Sequence, residues 1–212
     1  MIIKTIPVSP LMTNCYVIAC PETKEAVIID AGDEPLKILD IVDDEGLTLK
    51  HLINTHVHID HVSAVSDIQK ERNVPFLIHK NEEIILSGLK ASQTMFGFGG
   101  GETPKVDQYI SEADSIRIGT LSLAVIETPG HTPGGICLLA QHHLFAGDTL
   151  FAGSVGRTDL PGGSSATLIE SIQKKLMILD DYIVVYPGHG PMTTIGSEKQ
   201  NNPFISGQFS SF

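Results

Sequence analysis

The run Thr55-His56-Val57-His58-Ile59-Asp60-His61, directly after the strand-like segment Lys50–Asn54, constrains this chain more than any other feature. In extended chain, residues i and i+2 project to the same side, so the imidazoles of His56 and His58 can reach one ion. Asp60 and His61 follow where the chain turns into a helix, and can face a neighbouring position. That helix is expected over Val62–Arg72, with apolar spacing through Val62, Val65 and Ile68. Nitrogen and oxygen donors without a thiolate suit borderline and hard divalent metals.

Three further donors lie in turns that follow strand-like segments: His131 in TPGHTPG, Asp148 in FAGDTLF and His189 in YPGHGP. In each, an adjacent glycine lets the backbone fold tightly and present the side chain at a loop tip. The other histidines lack such settings. His51 and His79 read as strand-surface residues, His142 and His143 mark a turn, and none is assigned a role. Cys15, Cys20 and Cys137 form no CxxC pair and read as buried small hydrophobes.

Short segments rich in Ile and Val, namely 2–8, 16–19 and 26–30, open the chain as strands. A helix over Glu34–Glu45 follows, then the strand at 50–54, the helix at 62–72, a strand over Pro75–His79 and a helix over Asn81–Ser92. Residues 93–110, with MFGFGGGETP, read as a loop, either a solvated connector or a flap whose Phe96 and Phe98 cover a site. Strands over 116–118, 121–127, 135–140 and 144–146 come next. A helix over Ala166–Leu179, apolar at Leu168, Ile172, Leu176 and Leu179, precedes a strand over Ile183–Tyr186 and a short helix near Ser197. Strands then helices in each half, without strict alternation, predict two sheets covered by outer helices. No repeat or linker divides residues 1–212, so a single domain is expected.

With 212 residues, 42% hydrophobic and 18% charged, the chain has an ordinary globular balance that excludes a disordered tail protein. A net charge of −11 repels a phosphate backbone and makes nucleic acid a poor partner. No run approaches the roughly 18 apolar residues of a membrane span. The N-terminus reads as a first strand, not a signal peptide, and with reduced thiols this places the expected site of action in a cytoplasm-like compartment.

The motifs THVHIDH, TPGHTPG, GDTLF and PGHG, in this order and spacing, resemble those of the metallo-β-lactamase superfamily over nearly the whole chain. The resemblance implies an α+β fold, an αββα sandwich of two mixed sheets flanked by helices, with two metal ions at one edge. Carried over residue by residue, His56, His58 and His131 would bind the first metal. Asp60, His61 and His189 would bind the second, with Asp148 bridging. Zinc is the expected metal, with iron or manganese as alternatives. Asp30, in VIIDAG, matches an aspartate that braces the ligand loops.

Within that superfamily the chain looks most like the glyoxalase II group, hydrolases of glutathione thioesters such as S-lactoylglutathione. FAGSVGRTDLPGG and GHGPMTTIGSEKQNNPF are similar to a short bacterial-type branch of it. Two departures weaken glutathione as the thiol. The chain ends where the helical domain of the longer enzymes would begin, and Gly190 and Pro191 stand where the family has a tyrosine.

The implied chemistry is a metal-activated hydroxide held by Asp60 and Asp148, since two cations lower a bound water's pKa from ~15.7 toward ~7. A thiol leaves as thiolate without a general acid, whereas an amine must be protonated, which favours a small-molecule thioester over an amide. Arg157 aligns with a basic residue that contacts a substrate carboxylate in such enzymes; the competing reading is a loop-bracing pair with Asp159. The alternative activity is a persulfide dioxygenase-like oxidoreductase with one iron on His56, His131 and Asp148. A lactonase is a third, a non-catalytic scaffold a fourth. A β-lactamase fits poorly without an export signal, and nucleic-acid processing relatives carry extra domains or basic patches.

Overall fold

In the computed structural model, which describes residues 1–96 and 102–206, two six-stranded mixed sheets face each other. The first holds β1 (Ile2–Val8), β2 (Thr13–Ala19), β3 (Glu25–Ile29), β4 (Thr48–Ile53), β5 (Phe76–His79) and β6 (Gln108–Ile110), side by side in that order. The β1–β2 and β2–β3 pairs are antiparallel, and the next three junctions are parallel. Parallel neighbours need crossovers, and helices provide them. These are α1 (Pro35–Asp44), the successive α2 (Ile59–Val62) and α3 (Val65–Arg72), and the pair α4 (Glu83–Ser87) and α5 (Leu89–Phe96).

The second sheet comprises β7 (Ser115–Ile118), β8 (Leu121–Glu127), β9 (Ile136–Ala140), β10 (His143–Gly147), β13 (Val184–Pro187) and β14 (Thr193–Thr194). Its pairs are antiparallel except β10–β13. A hairpin of β11 (Leu150–Phe151) and β12 (Ser154–Val155) stands outside it. Helix α6 (Ser165–Ser171), prolonged by a π-helical turn over Ile172–Leu176, and α7 (Ile195–Asn201) cover the outer face.

The period-2 alternation of each strand sorts apolar side chains into layers. From β2 and β3, Cys15, Val17, Ala26 and Ile28 point outward to α1–α3, while Tyr16, Ile18, Val27 and Ile29 point inward. From β9 and β10, Leu138 and Phe145 meet them across the gap, while Cys137, Leu144 and Ala146 pack under α6. Strands buried on both faces explain why β2 and β3 read as continuous apolar runs. All three cysteines are buried and free. Among the described residues no helix is long and apolar enough to cross a membrane.

Several expected elements are corrected by the structure. Strand β2 begins at Thr13, which pairs with Val8 through a hairpin, so polar Thr13 and Asn14 are strand residues. The helix expected over 81–92 is broken at Gly88, whose N–H turns back on Ile85 O, and it resumes as α5 through Phe96. Residues 93–110 are therefore not one loop: α5 occupies their start and β6 their end. The flap reading falls on Phe98 and the Phe96 side chain, both outside what the structure describes. His143 opens β10 and only His142 lies in the turn.

Strands β3 and β4 run parallel, as do β8, β10 and β13, so within each sheet these strands end at the same edge. Every motif identified above follows one of those ends.

Candidate metal centre

His56 and His58 leave the end of β4, and His58 is the extended residue (ψ 154°) from which α2 starts. Asp60 and His61 fall on that helix, His131 follows β8, Asp148 follows β10 and His189 follows β13. The structure brings these seven residues into one cluster at the mouth between the sheets.

The donor atoms form two trios. Those of His56, His58 and His131 lie within 4.8 Å of one another, as do those of Asp60, His61 and His189. Asp148 sits between them: its Oδ2 is 3.6 Å from His131 Nε2 and 3.7 Å from His189 Nε2, and its Oδ1 is 3.4 Å from His61 Nε2. His61 Nε2 and Asp148 Oδ1 are buried without a hydrogen-bond partner. Such atoms cost about 1–3 kcal/mol each when left unpaired, and a divalent cation would satisfy both. The donor set and the orphaned atoms thus fit metal ions.

Backbone carbonyls set the tautomers. His131 Nδ1–H donates to Arg157 O at 2.6 Å and His189 Nδ1–H to Leu11 O at 3.1 Å, which leaves Nε2 of each ring as a lone-pair donor toward the cluster. Asp30 takes up the brace position. It accepts from Thr55 N–H and Oγ1–H at 2.7 Å each and lies 3.1 Å from His61 Nδ1. Its donors also come within 4.8 Å of His56 and His61, but both oxygens are already used by Thr55. Its backbone is left-handed (φ 56°), a strained conformation for an aspartate that the two Thr55 bonds hold in place.

The local field splits the histidines. Burial, reinforced by the neighbouring rings, pushes His56 well below its ordinary pKa and His58 down to about 4. Burial also lowers His131. Burial opposes charge on His61 as well, yet Asp60 and Asp148 hold its pKa well above the ordinary value. Burial would raise both carboxylates, but His61 and His189 hold Asp60 low and His61 holds Asp148 low. The first trio is thus biased toward neutral imidazole, the state a metal requires, whereas Asp60 and Asp148 favour protons on His61 and His189, which a metal would displace.

Arg157 Nε and Nη2 donate to the two carboxylate oxygens of Asp159, each at 2.7 Å, on an exposed loop beside the cluster. His79 faces Glu127 at 3.3 Å and His143 bonds Tyr186 Oη at 3.0 Å; neither joins the cluster. The sequence reading missed Glu82, Thr13 and Asn14. Glu82 is fully buried and accepts from Val57 N–H and Gly134 N–H, both at 2.8 Å, tying the His56–His58 turn to the His131 turn. Thr13 Oγ1–H donates to Asp60 Oδ2 at 2.9 Å, and Asn14 Nδ2 donates to Pro187 O and Gly190 O on either side of His189. Nothing in the sequence singles out Glu82, which stands among Lys80, Asn81 and Glu83.

The cluster floors a cleft of about 730 Å³ between α4–α5 on one side and residues 151–161 on the other. Its lining includes Asp60, Asp148, three of the histidines and Arg157, with no Lys, Glu, Tyr or Cys among the described lining residues.

A sequence profile described as the metallo-beta-lactamase superfamily matches residues 8–189. The chain is 35% identical to the hydroxyacylglutathione hydrolase GloC of Haemophilus influenzae, over 97% of this chain and 99% of that one. Among solved structures it is similar to the BLEG-1 B3 metallo-beta-lactamase (37% identity, 97% and 100% covered, TM-score 0.90). It is also similar to TTHA1623 in a di-iron-bound form (33%, 95% and 99% covered, TM-score 0.86) and to ETHE1 from Myxococcus xanthus (31%, 98% and 85% covered, TM-score 0.82). The chain belongs to the metallo-β-lactamase superfamily and within it resembles the glyoxalase II-like branch.

Proposed function

We propose that this protein is a binuclear-metal hydrolase that cleaves S-acyl thioesters, with acylglutathiones such as S-lactoylglutathione as candidate substrates. The observation that carries the reading is the position of Asp148 between two complete trios of donors. His56, His58 and His131 would hold one divalent ion, Asp60, His61 and His189 the other, and Asp148 would be shared. When bound, such ions acidify a water molecule and polarise a carbonyl oxygen.

The chain's own groups set the rest. Asp60 and Asp148 offset the positive charge, while Asp30, Leu11 O and the Arg157 carbonyl aim the rings. The described lining lacks a lysine, tyrosine or glutamate that could protonate an amine. A leaving group that departs as an anion, a thiolate, needs no such donor. The likeness to GloC supports the thioester class, and zinc or iron both suit the donor set, the di-iron form of TTHA1623 supporting the latter. Cytoplasmic action and the absence of nucleic-acid or membrane partners belong to the same proposal.

The likeness to ETHE1 supports a second reading, a mononuclear-iron dioxygenase using His56, His131 and Asp148. Metal analysis of protein purified without added metal separates the two. Near two equivalents, with thioester hydrolysis lost to a chelator and regained with divalent metal, is the expected result. One iron with dioxygen uptake on a glutathione persulfide, and no hydrolysis, would overturn the hydrolase.

A further inference from the structure

Helices α4 and α5 do more than connect β5 to β6. They turn Ile84, Ile85 and Leu89 toward the cleft, where Leu11, Phe151 and Leu160 line the other sides. Ile84 is 69% exposed and Leu11 53% exposed, although both stand at the rim of a concave site next to the donor cluster. Large aliphatic groups left in water on walls of a cleft whose polar groups gather mainly at the donor cluster are the mark of a site completed by an apolar ligand group.

Charge points the same way. Arg157 is the one lysine or arginine among the described lining residues, and its guanidinium is already engaged by Asp159. The segments 97–101 and 207–212 contain no lysine or arginine in their sequence. The whole chain carries a net charge of −11. A substrate with several carboxylates finds, away from the donor cluster, at most one lysine or arginine here, whereas an uncharged chain finds aliphatic walls along α4 and α5.

We infer, on the basis of the hydrolase reading above, that the preferred thioester carries an apolar acyl group, an alkyl chain of several carbons or an aryl ring, seated against Ile84, Ile85 and Leu89. The short hydroxylated acyl group of a lactoyl ester would leave these walls wet.

Two series of probes test this separately from catalysis. The first is S-alkyl thioethers of N-acetylcysteamine, from ethyl to hexyl, which cannot be cleaved and whose Kd is measured by calorimetry on the metal-loaded protein. Binding is expected to tighten about two- to fourfold per methylene, the upper figure for complete burial. The heat-capacity change should grow more negative with chain length. Ile84→Asn, at a side chain too exposed to hold the core, should flatten that slope. Kd independent of chain length, or a slope unchanged in Ile84→Asn, overturns the inference. The second series is the matching acyl thioesters, whose kcat/KM should rise with chain length in parallel. If none is hydrolysed while the thioether slope holds, the apolar site stands and it is the thioesterase reading that fails.

Discussion

Two buried backbone amides, Val57 N–H and Gly134 N–H, depend on the single carboxylate of Glu82. Replacing it by alanine leaves both donors unpaired, a cost on the order of 2–5 kcal/mol, and frees the turns that carry His56, His58 and His131 to drift apart. Glu82→Ala should therefore lower Tm and weaken metal affinity roughly ten- to a hundredfold, as loss of an outer-sphere support does. Glu82→Gln keeps one acceptor and should lose less of both. Burial raises the Glu82 pKa above the ordinary glutamate value. The sign follows from that direction: the unfolded chain ionises first, so this group's contribution is complete at low pH. It is lost as pH climbs from the ordinary glutamate pKa through the raised one. The stability of wild type relative to Glu82→Gln should decline across that window in denaturant titrations, and a difference that instead grows with pH would show the burial effect to be outweighed.

Arg157 belongs to the same scale. A substrate carboxylate must displace Asp159 from the guanidinium, so only the difference between the two partners becomes affinity, and an exposed pair of this kind is easily exchanged. Arg157→Ala should raise KM for an acylglutathione by up to about tenfold with little change in kcat, the pattern of lost uniform binding. Asp159→Ala, by freeing the guanidinium, should lower KM. Equal losses on a thioester without a carboxylate would mean that Arg157 only braces the loop that supplies the carbonyl to His131.

At the level of elements, the glycines beside the donors serve unlike purposes. Gly147 and Gly190 adopt left-handed backbone (φ 48° and 75°), as tight turns after β10 and β13 require. Gly188 does not; it is small because a Cβ there would stand 2.1 Å from Asp148 Oδ1 and 2.8 Å from His61 Cε1. Gly188→Ala should therefore expel metal and reduce kcat/KM by at least about a hundredfold, the scale of an ångström misplacement at a reacting centre. Gly190→Ala meets nothing within 4 Å and should cost only the left-handed penalty of about 1–2 kcal/mol while retaining metal. Metal content by mass spectrometry distinguishes them, and metal retained in Gly188→Ala with normal turnover would contradict the packing argument.

This contrast shows what the sequence makes legible. The His56–His61 run is readable because strand geometry and a helix start act within a few residues, and the Gly-flanked His131, Asp148 and His189 because turn chemistry is local. The layered fold is readable from the continuous apolar runs of β2, β3, β9 and β10, the mark of strands buried on both faces. Glu82, Thr13 and Asn14 are not readable, because their partners lie 25 to 176 residues away and are mostly backbone atoms of any identity. The break at Gly88 and the short strands β6, β11, β12 and β14 escape for a related reason. Strands β6 and β14 are held by pairing with β5 and β13, and a strand of two or three residues, those of the local β11–β12 hairpin included, shows no periodicity of its own.

For the molecule as a whole, the two sheets meet at an edge where seven donors converge, and that edge is coupled to global stability through whatever binds it. Sheet 1 contributes His56, His58, Asp60 and His61, and sheet 2 contributes His131, Asp148 and His189. Ions shared between them therefore cross-link the sandwich. In their absence His61 Nε2 and Asp148 Oδ1 remain unpaired within the protein. A metal at a hundred times its Kd stabilises the folded state by ~2.7 kcal/mol. In a protein of this size each kcal/mol moves Tm by about 2–4 °C, so loading should raise Tm by roughly 5–10 °C per ion. Asp148→Ala removes the carboxylate that faces both trios, so its Tm should respond to added zinc or iron by less than half the wild-type rise, and its turnover should be abolished. Scanning calorimetry of chelator-treated and reloaded protein, wild type against Asp148→Ala, measures both quantities. Equal rises in the two proteins would remove Asp148 from the shared position, and no rise in either would remove the metal centre itself.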